Sequence, residues 1–377
     1  MKLFPPASIG IVGGGQLGKY LTIEAKKLGY NVTILDPAYP SPAGEVADHQ
    51  IVASFSDTEA YRHLADSCKI ITYEFEHIDT GILKDLELSG YRICPSVDCL
   101  ININDKYRQK KLLRDAGIPV PAFFSTEEIS YSEGVRQLGI PIVFKSRRGG
   151  YDGKGMQLAF SEGEAYDTWN TLAGTDALAE EFISFEKEVS IIVARDQEGN
   201  LAFYPLAENI HEQGILRLSR VPAQVDHSVS QRAREIATSV VAALDSPGVF
   251  CIEMFLTRDG GLYVNEIAPR PHNSGHYTLD ACSTSQYEQL IRVLTGMPLG
   301  TTDLLSPCVM VNLLGNASVQ GTYKLEGLDE VLRIPNAHFY WYGKTKTAYR
   351  RKLGHVTILD TSIEEAEQKA EKVLQKL

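Results

Sequence analysis

Phosphate binding is the first chemistry that the sequence indicates, in the segment Phe144–Met156, Phe-Lys-Ser-Arg-Arg-Gly-Gly-Tyr-Asp-Gly-Lys-Gly-Met. Glycines and cations alternate there, so exposed backbone amides and positive charge can close over an anion. The segment is not a Walker loop, because no Gly-Lys-Ser/Thr opens a helix. Nor is it a protein-kinase glycine loop, because Lys145 precedes the glycines. For such a loop taken alone, a solvated surface hairpin is the alternative.

A pair of acids on a predicted hairpin is the second candidate. Two apolar runs flank Asp259-Gly260, and Asp-Gly in that setting signals a β-hairpin. A two-residue loop at Asp259-Gly260 predicts that Glu253 lies directly opposite Glu266. Opposed carboxylates repel and are costly to desolvate, and a divalent cation such as Mg²⁺ relieves both penalties. A register shift of one residue is the alternative, and it would turn both acids toward water.

A stiff polar segment follows Glu266 directly, reading Ile-Ala-Pro-Arg-Pro-His-Asn-Ser-Gly-His. Two prolines hold Arg270 beside the predicted metal. A rigid arginine, the imidazole of His272 and the amide of Asn273 suit an anionic substrate. Ordinary turn chemistry is the alternative.

The chain as a whole is acidic, with 37 Lys and Arg against 48 Asp and Glu among 377 residues. That balance argues against nucleic acid and membrane surfaces as partners, since such binding needs an excess of cations. No apolar run approaches the roughly 18 residues that cross a bilayer, and no signal peptide is visible, so a cytoplasmic protein is expected. The six cysteines show no zinc or Cys-x-x-Cys spacing and predict reduced thiols.

Against this acidic background, one cluster of cations stands out near the C-terminus. Its members are Lys344, Lys346, Arg350, Arg351 and Lys352. The cluster suits a second phosphate group, or it is a solvated hairpin.

The elements that position these residues begin with a strand at 8–12, a glycine turn and a helix. Gly13, Gly15 and Gly18 fit the dinucleotide pattern G-x-G-x-x-G, and Asp36 ends the next strand, where an acid holds a ribose. A nicotinamide-dependent oxidoreductase is therefore one interpretation. The other is that the glycines only permit tight packing in a doubly wound domain.

The pattern changes near Asn104, where a domain boundary is expected. Before it, Glu74 and Glu76 fall just past a predicted strand, where open α/β sheets place ligands, or they are solvated loop acids. After it comes a basic helix at 105–114. Lys106 on this helix is placed to touch a phosphate, although a charged helix face is usually solvated.

In their order and spacing, these motifs resemble the ATP-grasp ligases, and among them the N5-carboxyaminoimidazole ribonucleotide synthetase family of purine biosynthesis. The resemblance is carried by Arg147–Gly155, Glu180–Ile183, Val264–His276, and Lys344 with Arg351–His355. It runs nearly from end to end of the chain.

The resemblance implies an α/β fold of ATP-grasp architecture. Its parts would be an N-terminal Rossmann-like parallel-sheet domain (1–104), a central α+β ATP-grasp domain with a glycine-rich lid (105–300), and a small C-terminal domain (301–377). The implied reaction carboxylates 5-aminoimidazole ribonucleotide with bicarbonate and ATP, through carboxyphosphate. Mg²⁺, or Mn²⁺ in its place, and a homodimer are also implied. The alternatives are another ATP-grasp ligase that activates a carboxylate, and the oxidoreductase.

The resemblance also implies roles for particular residues. The implied ATP site comprises Lys106, Lys145, Gly150, Tyr151, Asp152, Gly153, Lys154, Gly155, Met156, Glu180, Glu181, Phe182, Ile183, Glu188, His211, Asn265 and Glu266. The implied metal ligands are Glu253 and Glu266, and the implied catalytic residues are Arg270, His272 and Asn273. The ribonucleotide would contact Tyr151, Asp152, Arg270, Lys344 and Arg351, with Arg350 as the alternative to Arg351. The N-terminal glycine loop would then serve substrate binding rather than NAD.

Overall fold

The structure is a computed structural model that describes residues 2–150, 155–172, 175–315, 321, 325–344 and 346–376. Four residues of the predicted lid, Tyr151, Asp152, Gly153 and Lys154, lie outside the described residues. Within the described ranges, no helix has the length and apolar character needed to cross a membrane.

The N-terminal region forms a parallel four-stranded sheet in the order β3-β2-β1-β4. Its strands are β1 (Ser8–Val12), β2 (Asn31–Leu35), β3 (His49–Ile51) and β4 (Ile70–Tyr73). Its helices are α1 (Gln16–Lys27), α2 (Thr58–Ser67), α3 (Thr80–Leu88) and α4 (Val97–Asn104). Strand β1 is a continuous apolar run because both faces of the sheet are covered: Ile9 and Ile11 pack in one apolar cluster and Val12 in another.

A second, antiparallel sheet follows, in the order β5-β8-β6-β7. Its strands are β5 (Phe123–Ser125), β6 (Ile142–Ser146), β7 (Met156–Ala159) and β8 (Ala177–Glu181). The helices of this region are α5 (Lys106–Asp115), α6 (Tyr131–Leu138) and α7 (Glu162–Leu172). Phe144 of β6 packs edge-on against Trp169 of α7, which fixes the strand that carries Lys145.

The third sheet has nine strands, in the order β14-β13-β9-β11-β12-β15-β17-β16, with β10 also paired to β9. The strands are β9 (Phe185–Arg195), β10 (Leu201–Phe203), β11 (Ala207–Glu212), β12 (Ile215–Val221), β13 (Gly248–Thr257), β14 (Leu262–Ala268), β15 (Cys308–Leu314), β16 (Ala337–Trp341) and β17 (Lys352–Leu359). The accompanying helices are α8 (His227–Leu244), α9 (Thr278–Ala281), α10 (Gln286–Thr295), α11 (Leu328–Leu332) and α12 (Ile363–Lys376). Strands β15 to β17 extend this central sheet, so the region expected to form a small C-terminal domain shares its sheet with the central one.

The hairpin of β13 and β14 pairs Glu253 with Glu266, as predicted, but not through the predicted turn. Leu256 pairs with Leu262, so the loop is longer than two residues, and Gly260 lies in it with a φ of +83°. That turn shifts the register by one residue. A β-bulge at Asn265 shifts it back, because Glu253 pairs with Glu266 whereas Met254 pairs with Val264.

Candidate active site

The opposed acids lie on a face of the large sheet that carries several polar side chains. Glu253 is the cross-strand neighbour of both Glu266 and Ser190, and direct neighbours share a face. The bulge at Asn265 turns both Asn265 and Glu266 away from the apolar cluster that buries Val264 and Ile267. A bulge therefore delivers two consecutive polar side chains to the same site.

Glu253 has a strongly perturbed environment. Burial raises its pKa to about 7, and the negative charges of Glu266 and Glu188 add to the effect, while His211 opposes it. His211 Nδ1 lies 3.2 Å from Glu188 Oε1. Burial alone would lower the pKa of His211, but Glu188 and Glu253 outweigh burial and raise it. The structure thus brings the predicted residues Glu188, His211 and Glu253 into one electrostatic group.

Two lysines meet one buried carboxylate beside the acid pair. Lys145 Nζ donates to Glu180 Oε2 at 2.9 Å and to Asn265 Oδ1 at 3.1 Å. Lys110 Nζ lies 3.3 Å from Glu180 Oε1, and both of these side chains are only 2% exposed. Burial lowers the pKa of Lys110 to about 8, partly offset by Glu180. Burial would raise the pKa of Glu180, but Lys110 and Lys145 outweigh it and hold the pKa low.

The segment Glu180–Ile183, which the resemblance places in the ATP site, has its first two side chains turned to partners within the protein. The carboxylate of Glu180 forms ion pairs with two lysines of the protein, Lys110 and Lys145, so both of its oxygens have internal partners. Glu181 accepts a hydrogen bond from the Ala122 amide at 3.3 Å. Strand β8 ends at Glu181, which places Phe182 and Ile183 after the strand rather than in it.

Lys106 stands at the start of α5, next to the acid pair. Its Nζ lies 3.6 Å from Glu266 Oε1 and 3.5 Å from the Gly150 carbonyl oxygen, which it donates to. Asp105 caps the helix by accepting from the amides of the first turn. Of the predicted ATP residues, Lys106, Lys145, Asn265 and Glu266 come together here.

Asp105 holds the two arginines of the glycine loop, Arg147 and Arg148. Arg147 donates from Nη2 to Asp105 Oδ2 at 2.7 Å and from Nε to Oδ1 at 3.1 Å. Arg148 Nη2 lies 3.5 Å from the same carboxylate. The bidentate pair of Arg147 with Asp105 anchors the root of the loop to α5, whereas the side chain of Arg148 stays 62% exposed.

Arg270 makes a two-pronged ion pair with Glu76 from the N-terminal region. Nε donates to Oε2 at 2.6 Å and Nη2 donates to Oε1 at 3.0 Å. Burial would raise the pKa of Glu76, but Arg270 outweighs it and lowers the pKa to about 2. The pair fixes the guanidinium and joins two regions of the chain that are far apart in sequence.

The N-terminal glycine loop is filled by the protein's own carboxylates. Glu74 accepts from the Gly15 amide at 2.5 Å and from the Gly18 amide at 2.6 Å. Asp36 accepts from the Gly14 amide at 2.7 Å. A Cβ on Gly15 would lie 2.6 Å from Glu74 Oε1, so the loop needs glycine to close over this acid. The dinucleotide interpretation of this loop is therefore wrong, because its amides already hold internal anions.

His272 and Asn273 follow Arg270 in a short 3₁₀ turn at Asn273–Gly275. Gln286 clamps the backbone of His272: its Oε1 accepts from the His272 amide and its Nε2 donates to the His272 carbonyl, both at 2.8 Å. Asn273 is 6% exposed, and neither atom of its amide has a hydrogen-bond partner among the described residues. A buried amide in that condition is a binding group for a water or a ligand.

The C-terminal cations lie around the start of β17. Lys344 Nζ donates to the Lys352 carbonyl at 2.7 Å, and Arg351 Nη1 donates to the Lys346 carbonyl at 2.8 Å. Arg350 points instead to the turn between β11 and β12, where it donates to the carbonyls of Glu212 and Gln213. This difference in direction favours Arg351 as the phosphate-binding candidate of the two.

Three ion pairs of the site were not predicted from the sequence. Lys110 was part of a charged helix face, and its burial depends on Glu180, 70 positions later in the chain. Asp105 was only the first residue of the predicted basic helix, and its ion pair with Arg147 joins positions 42 residues apart. Glu76 was noted past its strand, but its pairing with Arg270 needs the tertiary fold.

Comparisons with known proteins agree with this geometry. Family models match along the chain as follows: the ribonucleotide synthetase preATP-grasp domain at 7–104, the ATP-grasp domain at 111–287 and the phosphoribosylaminoimidazole carboxylase C-terminal domain at 308–369. The N5-carboxyaminoimidazole ribonucleotide synthase of Bacillus subtilis is 43% identical over 358 residues, covering 95% of this chain and 92% of that one. The enzyme of the same name from Synechococcus elongatus is 40% identical, covering 94% and 90%.

Solved structures are equally similar. The crystal structure of N5-carboxyaminoimidazole ribonucleotide synthetase from Thermotoga maritima has a TM-score of 0.90 and 45% identity, with 98% of each chain covered. The Aspergillus clavatus synthase, in complex with ADP and 5-aminoimidazole ribonucleotide, has a TM-score of 0.91 and 32% identity, with 99% of each chain covered.

Proposed function

Since the chain belongs to the N5-carboxyaminoimidazole ribonucleotide synthase family of ATP-grasp ligases, we propose that bicarbonate is its carboxyl donor and is activated as carboxyphosphate. The chain is an ATP-dependent ligase that converts 5-aminoimidazole ribonucleotide to N5-carboxyaminoimidazole ribonucleotide in purine biosynthesis. A carboxylate oxygen is a poor leaving group until it carries a phosphoryl group, which is the reason that ATP is needed. Phosphoryl transfer itself requires chiefly positioning and charge neutralisation.

Lys106 and Lys145 are the residues that we assign to the ATP phosphates. Both ammonium groups lie beside the acid hairpin, at 3.6 Å from Glu266 and 3.1 Å from Asn265 respectively. Glu180, held by Lys110, fixes the position of Lys145. The lid from Gly150 to Met156 would supply backbone amides, and the residues after β8 would meet the adenine. Glu188 is assigned to the ribose and His211 to the nucleotide.

Glu253 and Glu266 fit a divalent cation. The two side chains face each other across the hairpin, and burial beside a second acid raises the pKa of Glu253 to about 7. The raised pKa shows that the neighbouring positive charges do not balance the two carboxylates. Among the described residues, no group of three or more His, Cys, Asp or Glu side chains is arranged to hold a metal alone. Phosphate oxygens would therefore complete the coordination, as suits Mg²⁺ or Mn²⁺. When bound, the ion would neutralise charge on the transferred phosphoryl group.

Arg270, His272 and Asn273 form the proposed binding site for bicarbonate and carboxyphosphate. Glu76 holds the guanidinium of Arg270 in a fixed plane, with an oxygen to nitrogen distance of 2.6 Å. Asn273 contributes a buried amide without a partner among the described residues. Lys344 and Arg351 are assigned to the phosphate of the ribonucleotide.

The observation that carries the proposal is the acid pair Glu253–Glu266 flanked by Lys106 and Lys145. The test is ADP release from Mg-ATP with bicarbonate and 5-aminoimidazole ribonucleotide, against matched reactions that omit either one. Full ADP release should require both, with one carboxyl group incorporated per ADP. Release supported by a different amine or carboxylate would overturn the proposal in favour of another ATP-grasp ligase.

Two further expectations concern the protein as a whole. We propose a cytoplasmic location, which is supported by six cysteines that are free thiols, as in a reducing compartment. We also propose a homodimer. Light scattering on the purified protein tests the homodimer, which should show twice the mass of a single chain.

A further inference from the structure

The protonation of His272 is constrained by its neighbour Ser274. The backbone N–H of Ser274 donates to His272 Nδ1 at 3.3 Å, and Ser274 Oγ lies 2.9 Å from the same nitrogen. A backbone N–H can only donate, so Nδ1 presents its lone pair. A neutral imidazole has one N–H, and its proton must then be on Nε2.

A buried hydrogen-bond chain supports the same tautomer. Ser190 Oγ donates to Ser274 Oγ at 2.9 Å, and Asn209 Nδ2 donates to Ser190 Oγ at 2.8 Å. Ser219 Oγ donates to Asn209 Oδ1 at 2.7 Å. Ser274 Oγ accepts from Ser190 and has Cys251 Sγ at 3.6 Å, but its shortest acceptor contact is His272 Nδ1. Since that nitrogen presents its lone pair, the Ser274 hydroxyl donates to it. Hydrogen bonds aligned in this way polarise one another.

The sheet holds this chain rigidly. Ser190, Asn209 and Ser219 lie on β9, β11 and β12, and Asn209 and Ser219 are direct cross-strand partners. None of the four chain members that lead to His272 is more than 4% exposed. Four buried polar side chains destabilise a fold unless they are hydrogen-bonded. The hydrogen bonds between these side chains therefore form an ordered network rather than a set of incidental contacts.

The charges around His272 keep it neutral. Burial lowers its pKa well below the ordinary value, and Arg270, Lys352 and His211 add to the effect, while Glu76 opposes it. Protonation would also place an N–H at Nδ1 against the Ser274 amide. His272 Nε2 has no hydrogen-bond partner among the residues that the structure describes, which leaves its N–H for a ligand.

We propose that His272 is a fixed hydrogen-bond donor, through Nε2–H, to an oxygen of the activated carboxyl group, and that it is not a general base. Ser274, Ser190, Asn209 and Ser219 are then positioning residues that hold its tautomer. The inference rests on the proposed function for the identity of the anion, but not for the tautomer. Oriented N–H donors stabilise developing negative charge, and loss of one typically costs about 100-fold or more in turnover.

The tautomer is tested directly by ¹⁵N NMR on the ligand-free enzyme labelled at histidine, with His272→Gln to assign the signals. We expect an unprotonated Nδ1 and a protonated Nε2, unchanged between about pH 6 and pH 8. A proton on Nδ1, or titration within that range, would overturn the proposal. The measurement uses the unaltered protein and does not depend on the substrate.

The donor role is tested by comparing His272→Gln with His272→Leu. Glutamine keeps an N–H donor but cannot act as a base, so it should retain kcat within about tenfold, whereas leucine should lose about 100-fold or more. Equal losses in the two variants would refute a donor role. If the wild type proved to act on a different carboxyl substrate, the proposed function would fail, yet the same comparison with that substrate would still decide the role of His272.

Ser274→Ala tests the positioning chain, with the exposed Ser283→Ala as its matched control. We expect Ser274→Ala to lower kcat without changing the KM for ATP, and to make kcat fall toward acidic pH, because one donor that opposes protonation of Nδ1 is gone. Ser283→Ala should match the wild type. An unchanged kcat and pH profile in Ser274→Ala would show that the chain does not position His272.

Discussion

Replacing Glu253 by glutamine should stabilise the metal-free protein and yet disable the enzyme. Burial beside Glu266 and Glu188 raises the pKa of Glu253 from its ordinary 4.5 to about 7. The folded protein therefore holds a proton on Glu253 that the unfolded chain loses near its ordinary pKa. The free energy of unfolding consequently falls as the pH rises from about 4.5 to about 7, and the loss is complete above that range.

The size of the effect follows from the same shift. Each unit of pKa shift corresponds to about 1.4 kcal/mol, so the ionisation of Glu253 lowers the free energy of unfolding of the wild type by about 3 kcal/mol at pH 8. This value is an upper bound, because Glu253 is only half-buried and solvent screens its charge. An unfolding entropy of about 2.1 cal/mol/K per residue gives about 0.8 kcal/mol/K for this chain. The melting temperature of Glu253→Gln should thus exceed that of the wild type by up to about 4 °C at pH 8. At about pH 4 the difference should nearly vanish, because the wild-type acid is then largely protonated in both the folded and the unfolded state.

The assay is thermal unfolding in EDTA at both pH values, followed by turnover at saturating Mg-ATP. Turnover should fall by about 100-fold or more, since the variant lacks one of the two carboxylates proposed to hold the divalent cation. Glu212→Gln, on neighbouring strand β11 with its side chain 65% exposed, is the control and should change neither quantity. A variant that is less stable at pH 8 with near-normal turnover would refute the reasoning and make the acid pair structural.

Other predictions concern the remaining charged groups. Mg-ATP but not NADH should raise the melting temperature, because the carboxylate of Glu74 occupies the glycine loop; stabilisation by NADH alone would contradict this. Lys344→Ala and Arg351→Ala should raise the KM for the ribonucleotide far more than that for ATP, and steady-state kinetics with the opposite pattern would move the cluster to the nucleotide. Lys110→Met should cost about 3–5 kcal/mol in a thermal or denaturant melt, because it breaks a buried ion pair, whereas its exposed neighbour Lys111→Met should cost almost nothing.

The acid hairpin shows what a sequence can predict about such a site. Asp-Gly between apolar runs identified the hairpin, and the opposed pair Glu253–Glu266 is confirmed. The predicted two-residue turn was wrong. The actual turn is longer and shifts the register by one residue, and the bulge at Asn265 shifts the register back. The bulge has no local signal, because Asn265 contacts Lys145 of another sheet and the position is set by that packing.

Long-range charge pairing marks the limit of the prediction. Arg147 and Lys110 belong to runs of like charge in the sequence, and such runs usually face water. In the structure one is held by Asp105 and the other by Glu180, respectively 42 and 70 positions away. Charge patterns along the chain reveal neighbours a few residues apart, but the partner of a buried charge is chosen by the topology.

The same topology determines which internal groups hold the cations of the site. Lys145 is held by Glu180 and Asn265, and Lys106 lies beside Glu266, so each ammonium has an internal oxygen partner. The hairpin acids are different, because Glu253 faces a second carboxylate. Its neighbour His211 already lies beside Glu188, so the positive charge near Glu253 is shared between two acids. In a nucleotide bound with a divalent cation, the phosphates would contact Lys106 and Lys145, and the cation would be coordinated by Glu253 and Glu266. The acid pair would therefore receive the positive charge that it needs, so it supports the proposal of a metal–nucleotide complex more directly than the glycine loop does.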